Sequence, residues 1–553
     1  MVLAQRLDGL AAERGDAAAF TWVHADGRED HWSFGQLRDR AAAVADALAD
    51  VGTGSPAVLY FAPGLDHVAG LVGCLAAGVP AVSGHGPPLG GAAKVRDAAV
   101  ALLERTAAQV VLTDAATRDR ADEPGWIAVD ALGAAGGPLH RVEHDPAADA
   151  IVQFTSGSTG TAKAVVLSAG AVVAMLDALE RHVAIDERDV VVSWVPLYHD
   201  LGLVLSLLVP MYGSREVLLS PLTFLHRPVR WLQAATRHRA TILASPNFGF
   251  ELCVRRLTYE ERDGLDLSSV QIAAWGAEPA RPATIEAVLG ALGPVGLRAD
   301  AVVNGYGMSE FGSHIASQHR GEGVRISTFD GAALEAGRVV PAQEGHRLAA
   351  AGRQDAVAEL AIVDPETRTR LAPELVGEIW VRGPAQASAY LGDEAATAES
   401  LQARLHDGSG PWVRTGDLGF LHGDEVYLWG RSKDVIVVRG RNLLPQDIED
   451  AAAAAHDSFA PNSTIAFGHE DGTRESLVVV QEVEVRDDVD LPTLPAAIAK
   501  AVADRLGVRP DRVVLVGRGR LPRGGAGKLR RSACRSALMA GDLPAIDDQR
   551  LTA

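Results

Sequence analysis

Cysteine is scarce in this chain: three in 553 residues, Cys74, Cys253 and Cys534. Their wide separation offers neither a disulfide framework nor the paired spacing of a zinc site, and a reducing cytoplasm suits them. Positive charge is short too. Fifty-two basic residues face 71 acidic ones, a formal charge of −19, which disfavours nucleic acid or an anionic membrane as a bulk partner. No apolar run is long enough to cross a bilayer, the greasiest stretch being 201–212. The first residues, Met-Val-Leu-Ala-Gln-Arg-Leu-Asp, lack a basic-then-apolar signal, so the expectation is a cytoplasmic protein without membrane insertion. No internal repeat is evident, which argues against a solenoid.

What is present is the composition of a soluble globular protein, 47% hydrophobic and 22% charged, in a chain too long for one ordinary core. Helical and strand patterns alternate through the first half, the signature of parallel sheet covered by helices. Ser33 and Gln36 fit a capping box for an alanine-rich helix running to about Asp50. Strands are expected at 57–61, 80–83, 110–113, 151–155, 190–194 and 241–244, with a helix near 67–77. From Glu359 the texture becomes period-2 alternation, as in 377–383 and 425–429, predicting a smaller β-rich subdomain. Beyond Arg431 come a strand at 435–438, a turn through Gly440 and Asn442, and a helix opening near Pro445. The expected fold is α/β: a large N-terminal domain over 1–431 containing α/β subdomains and the β-rich part, then a small mobile α+β domain over 432–553.

The most informative segment is Phe154-Thr-Ser-Gly-Ser-Thr-Gly-Thr-Ala-Lys163. Its glycines, Gly157 and Gly160, let main-chain N–H groups turn onto an anion. Thr155, Ser156, Ser158 and Thr159 add hydroxyl donors, and Lys163 a full charge. Two residues separate Gly160 from Lys163 and Ala164 follows, so this is not a Walker loop. A Ser/Gly/Thr run alone is more often a linker, but apolar flanks at 151–152 and 165–167 place this one between two buried strands. The reading is a cradle for ATP phosphates.

Downstream follow Trp194-Val-Pro-Leu-Tyr-His-Asp200, Ser245-Pro-Asn-Phe248, Trp275-Gly-Ala-Glu-Pro279, Asn304-Gly-Tyr-Gly-Met-Ser-Glu310, Arg414-Thr-Gly-Asp-Leu-Gly419, Gly430-Arg-Ser-Lys-Asp434 and Pro522-Arg-Gly-Gly-Ala-Gly-Lys528. In this order they resemble the adenylate-forming superfamily of acyl-CoA synthetases, peptide-synthetase adenylation domains and luciferases, over nearly the whole chain. The stretches 245–257, 275–279 and 430–449 look most like the fatty acyl-AMP ligases. So does 327–340, which lies where that family carries an insertion, placed here only broadly at 315–360. The resemblance implies activation of a hydrophobic, fatty-type carboxylic acid by ATP to acyl-AMP, with pyrophosphate released. The insertion is thought to restrict the C-terminal domain, disfavouring free coenzyme A and leaving transfer to an acyl carrier protein's phosphopantetheine.

Roles follow from charge and from that resemblance together. A carboxylate needs no general base to attack phosphorus, so catalysis must manage negative charge, and Lys528 is the candidate for the α-phosphate and substrate oxygen. Asp417 is expected to accept from the ribose hydroxyls with Arg431 on the same sugar. Tyr306 is expected against adenine, bordered by Gly276, Ala277, Glu278, Gly307 and Ser309. Glu310 is the expected Mg²⁺ ligand, a hard oxygen donor that leaves other positions to phosphate and water. His199 should face the acyl carboxylate, Asn247, Phe248 and Gly249 the acyl tunnel, and Lys433 matches the family's hinge. A basic cluster of Arg518, Arg520, Arg523, Arg530, Arg531 and Arg535 surrounds Lys528, either steering anionic partners or forming a solvated face. Two other readings stand beside the first: an acyl-CoA ligase, and a catalytically silent nucleotide-binding scaffold.

Overall fold

A computed structural model describes residues 2–52, 54–133, 135, 137–139, 145–155, 162–438, 441–460, 462–470, 475–485, 489–523 and 529–551. The capping box forms: the Ser33 side chain accepts from the Gln36 N–H while Gln36 reciprocates, opening the helix Phe34–Ala47. The expected strands form within a residue or two of their anticipated ends, but they divide between two sheets.

Among the described residues, one sheet has seven strands and the other nine. In the first, Ala57–Leu59, Ala81–Ser83, Val110–Thr113, Ile127–Ala128 and Asp149–Phe154 run parallel. Ala164–Ser168 folds back antiparallel on Asp149–Phe154 and then pairs with the distant Ala389–Tyr390. In the second, Ala18–Val23, Arg215–Leu219, Val190–Ser193, Ile242–Ser245, Ile272–Trp275 and Val302–Tyr306 run parallel. Helices Asp66–Ala77 and Asp200–Tyr212 are apolar on nearly every face because one continuous core joins both sheets through them. The apolar stretch at 201–212 is therefore a buried helix.

The period-2 region forms an antiparallel sheet of Glu359–Val363, Gly377–Arg382, Val413–His422 and Glu425–Arg431. Beyond it, two core clusters draw only on residues from Ile436 to Leu551, around a sheet of Thr464–Glu470, Glu475–Val483, Arg512–Gly517 and Ala545–Arg550. This smaller body touches the larger one at a few defined points. Arg281 pairs with Asp450 at 2.8 Å, and Leu444 packs into a cluster with Phe329, Phe420, Tyr427 and Trp429. Arg441 grips both oxygens of Glu335 at 2.8 and 2.9 Å. Glu335 ends a short helix, Gly331–Glu335, inside the hairpin-like segment Ile326–Ala349.

Candidate active site

Parallel sheets gather chemistry at the carboxyl ends of their strands, where loops can approach one another freely. Here Ser245, Trp275 and Tyr306 end three adjacent parallel strands, and the antiparallel sheet delivers Asp417 and Arg431 against Tyr306. The Tyr306 hydroxyl donates to Asp417 Oδ2 at 2.9 Å, and Arg431 Nε lies 2.8 Å from Oδ1. Asp417 and Arg431 are direct cross-strand partners, so their approach is fixed by register. Burial, then the Asp417 charge, holds the Tyr306 phenol protonated far above its usual range. Asp417 thus has one carboxylate oxygen engaged by a phenol and the other by a guanidinium.

A second cluster lies at the base of the glycine-rich hairpin. The Thr155 N–H bonds to the Lys163 carbonyl at 2.9 Å, closing the loop, while Ser156, Gly157, Ser158, Thr159 and Gly160 lie outside the described residues. Lys163 Nζ sits 4.3 Å from the centre of the Tyr390 ring, and the Tyr390 hydroxyl donates to Glu310 Oε1 at 2.8 Å. Burial raises the Glu310 carboxyl above its usual value, offset in part by the Tyr390 bond. A buried hard-oxygen donor that resists carrying its charge alone fits a divalent cation shared with phosphate oxygens. Gly307 is required here by close approach: a Cβ would stand 2.0 Å from the Ser313 carbonyl oxygen.

The third group opens the helix Asp200–Tyr212. His199 Nδ1 lies 2.6 Å from Asp200 Oδ1, which also accepts from the Leu201 N–H at 2.7 Å, and the Ser309 hydroxyl donates to Oδ2 at 3.2 Å. Burial would raise the Asp200 carboxyl, but the His199 charge and these bonds win and draw it to about 2. Tyr198 packs edge-on to His85 at 4.9 Å. Burial lowers the His85 imidazole, and the charges of His199 and Arg530 lower it further. Arg530 is two residues beyond Lys528, which itself lies outside the described residues with the glycines 524–527.

Between the helices Ala169–Val183 and Asp200–Tyr212 and the parallel strands lies a cavity of about 110 Å³. Asp200, Leu201, Gly276, Ala277 and Gly307 line it together with apolar residues such as Leu179, Val204, Leu205, Leu208 and Ile272. Asn247, Phe248 and Gly249, expected as tunnel residues, do not line it. The Asn247 amide is spent on Thr284 and the Arg281 N–H, Phe248 packs edge-on to Trp194, and Gly249 is pressed against Ser245 and Trp194. Glu278 stands beside them, accepting from the Phe248 N–H at 3.1 Å.

Comparison with known proteins bears on this arrangement. The profile of the AMP-binding enzyme family matches residues 7–391. The chain belongs to that family. Its relatives there include the medium-chain-fatty-acid–[acyl-carrier-protein] ligase JamA of Moorena producens, 35% identical over 92% of this chain and 90% of the relative. A 4-hydroxyphenylalkanoate adenylyltransferase of Mycobacterium marinum is 34% identical over 93% and 86%. Among solved structures, a fatty acyl-adenylate ligase from Legionella pneumophila in complex with acyl adenylate and pyrophosphate superposes with a TM-score of 0.74, at 30% identity over 99% of this chain and 97% of that one.

In this AMP-binding enzyme, Lys433 is exposed in the short turn between the strands Glu425–Arg431 and Ile436–Val438, held by bonds from the Ser432 N–H and hydroxyl to the Gly416 carbonyl. The basic cluster around Lys528 is less free than its sequence implies. Arg531 pairs with Asp434 at 3.0 Å and Glu449 at 2.7 Å, Arg523 with Glu482, and Arg518 with Glu484. Tyr390 and His85 went unrecognised in the sequence. His85 carries a faint signal, a histidine between glycines directly after an apolar strand; Tyr390 carries none, because a pairing with Val165 across 225 positions of chain brings it in.

Proposed function

We infer that the enzyme joins a hydrophobic, fatty-type carboxylic acid to AMP and delivers the acyl group to the phosphopantetheine of a carrier protein. The observation that carries this reading is that three clusters meet at Glu310: the charges of Arg431 and Asp200 both act on it, Tyr390 donates to it, and its neighbour Ser309 donates to Asp200, which lines the apolar cavity. A substrate carboxylate oxygen attacks the α-phosphorus of ATP, the bond to the bridging oxygen breaks, and pyrophosphate leaves with its electron pair. The carrier thiol then attacks the acyl carbonyl, a thioester forms, and AMP leaves.

Asp417 accepts the ribose hydroxyls, with Arg431 beside it. Gly276, Ala277 and Tyr306 border the base, and Thr155, Lys163 and the intervening loop hold phosphates. Glu310 would hold Mg²⁺, which spreads negative charge off the phosphate oxygens when bound. Lys528 supplies the cation at the α-phosphate, and the smaller body, beginning about residue 432, pivots at Lys433 between the two half-reactions. No described helix is long and apolar enough to cross a membrane, and a cytoplasmic setting fits the three unpaired, buried cysteines.

The Arg441–Glu335 grip favours the carrier over free coenzyme A, because it ties the smaller body to the segment where the family insertion is expected. A silent scaffold is the weaker reading, since it leaves these charged groups without employment. Pyrophosphate exchange into ATP, dependent on added acid, tests the first half-reaction. Lys528→Ala is expected to lower its rate by about 10²–10³-fold. Exchange at the wild-type rate in that variant would overturn the assignment of Lys528, and comparing carrier protein with coenzyme A under the same conditions tests the acceptor.

A further inference from the structure

The nine-stranded sheet has a second concavity, at the edge opposite Ser245 and Trp275. Val190 and Arg215 open two of its parallel strands, and Thr241 and Gln271 directly precede two more. The length of the strand Ile242–Ser245, about 13 Å at the usual rise per residue, therefore separates this cleft from the candidate active site. Its volume is about 710 Å³, inside the range of about 300–1,000 Å³ usual for ligand pockets.

The lining is cationic. Arg188, Arg215, Arg239, Arg298, Arg320 and His238 all contribute to it, and no carboxylate does. That is a sharp local contrast in a chain of net charge −19. Carboxylates outside the lining hold three of the five arginines: Asp186 pairs with Arg188, Asp300 with Arg298 at 2.9 Å, and Asp189 with Arg320 at 2.8 Å. Arg215 and Arg239 have no such ion pair among the described residues. Arg215 donates to the His238 carbonyl at 3.1 Å, and the Arg239 charge reaches Asp266 only through space. Burial lowers the Arg215 guanidinium, and the Glu29 charge offsets only part of that. All five side chains are reachable: Arg188, Arg239 and Arg298 are exposed, and Arg215 and Arg320 partly so.

A partly buried guanidinium resting on a neutral carbonyl gains most from an anion brought to it. The planar arginine fork matches pairs of phosphate oxygens, and several forks around one cleft suit more negative charge than a single carboxylate carries. The concave shape suits a small molecule. We propose that this cleft binds a small ligand bearing two or more phosphate groups, at a site separate from the nucleotide site and independent of the adenylation reading.

Calorimetric titration with inorganic tripolyphosphate and with adenosine 3′,5′-bisphosphate tests this, and the tighter of the two tells a free oligophosphate from a nucleotide as the source. Wild type is expected to bind at least one of them saturably, and more weakly as salt rises. Arg239→Glu and Arg215→Gln should each weaken that binding about 10- to 100-fold, the scale of losing a hydrogen bond to a charged group. Lys163→Ala, at the candidate phosphate loop, should leave it in place. Arg239 is exposed, so its reversal tests the cleft even where Arg215→Gln does not fold. Binding of neither probe overturns the proposal, as does binding that disappears in Lys163→Ala yet persists at wild-type strength in Arg239→Glu.

Discussion

At the scale of single residues, the site proposed for the sugar is already aligned by protein contacts. Asp417 takes one bond from Tyr306 and one from Arg431, and a hydrogen bond to a charged group contributes about 1.5–3 kcal/mol. Tyr306→Phe is therefore expected to raise the KM for ATP about tenfold with a smaller effect on kcat; an unchanged KM would show that the phenol contributes nothing to the clamp. Tyr390→Phe keeps the ring under Lys163 but removes the donor to Glu310. If Glu310 holds Mg²⁺ as proposed, the Mg²⁺ concentration for half-maximal exchange should rise about 10-fold or more, the usual scale for losing a partner that orients a metal-binding group. An identical Mg²⁺ titration would rule out that orienting role. Asp417, Arg431 and Glu310 could be proposed beforehand because each sits in a local motif. Tyr390 could not, since it reaches Glu310 only through the pairing of its short strand with Val165, far away in the chain.

Individual strands and helices were legible because their periods are local, while the division into two sheets depends on long-range pairing that no window of sequence contains. One strand also hides a titration. Glu216, inside the apolar strand Arg215–Leu219, is fully buried with neither carboxyl oxygen bonded among the described residues, and burial pushes it from 4.5 to about 8. The folded protein then keeps a proton that the unfolded chain releases between those values. The contribution of this group to stability therefore falls as pH rises from about 4.5 to about 8. Glu216→Gln, neutral throughout, should flatten the contribution of this group, so the variant's melting temperature gains on wild type as pH climbs through that window. Parallel melting curves against pH would refute it.

For the whole molecule, composition and length anticipated more than one core, but not the way the parts meet. Glu335 and Arg441 belong to segments 106 positions apart, and their pairing is visible only in three dimensions. The pair is only partly withdrawn from water and contributes on the order of 1 kcal/mol, so Glu335→Arg should lower the melting temperature only modestly. Its effect belongs to the population of docked arrangements: the link at 432–435 should be cut several-fold faster in limited proteolysis, and coenzyme A should become a better acceptor. Neither change would occur if the grip were incidental. The Asp417–Arg431 register has a different reach. Arg431 is the last residue of its strand, and the chain departs for the smaller body immediately afterwards. The swing proposed about Lys433 therefore has its axle beside the Asp417–Arg431 pair, so a nucleotide held there, as proposed, would stay parked at the pivot while one catalytic face is exchanged for another.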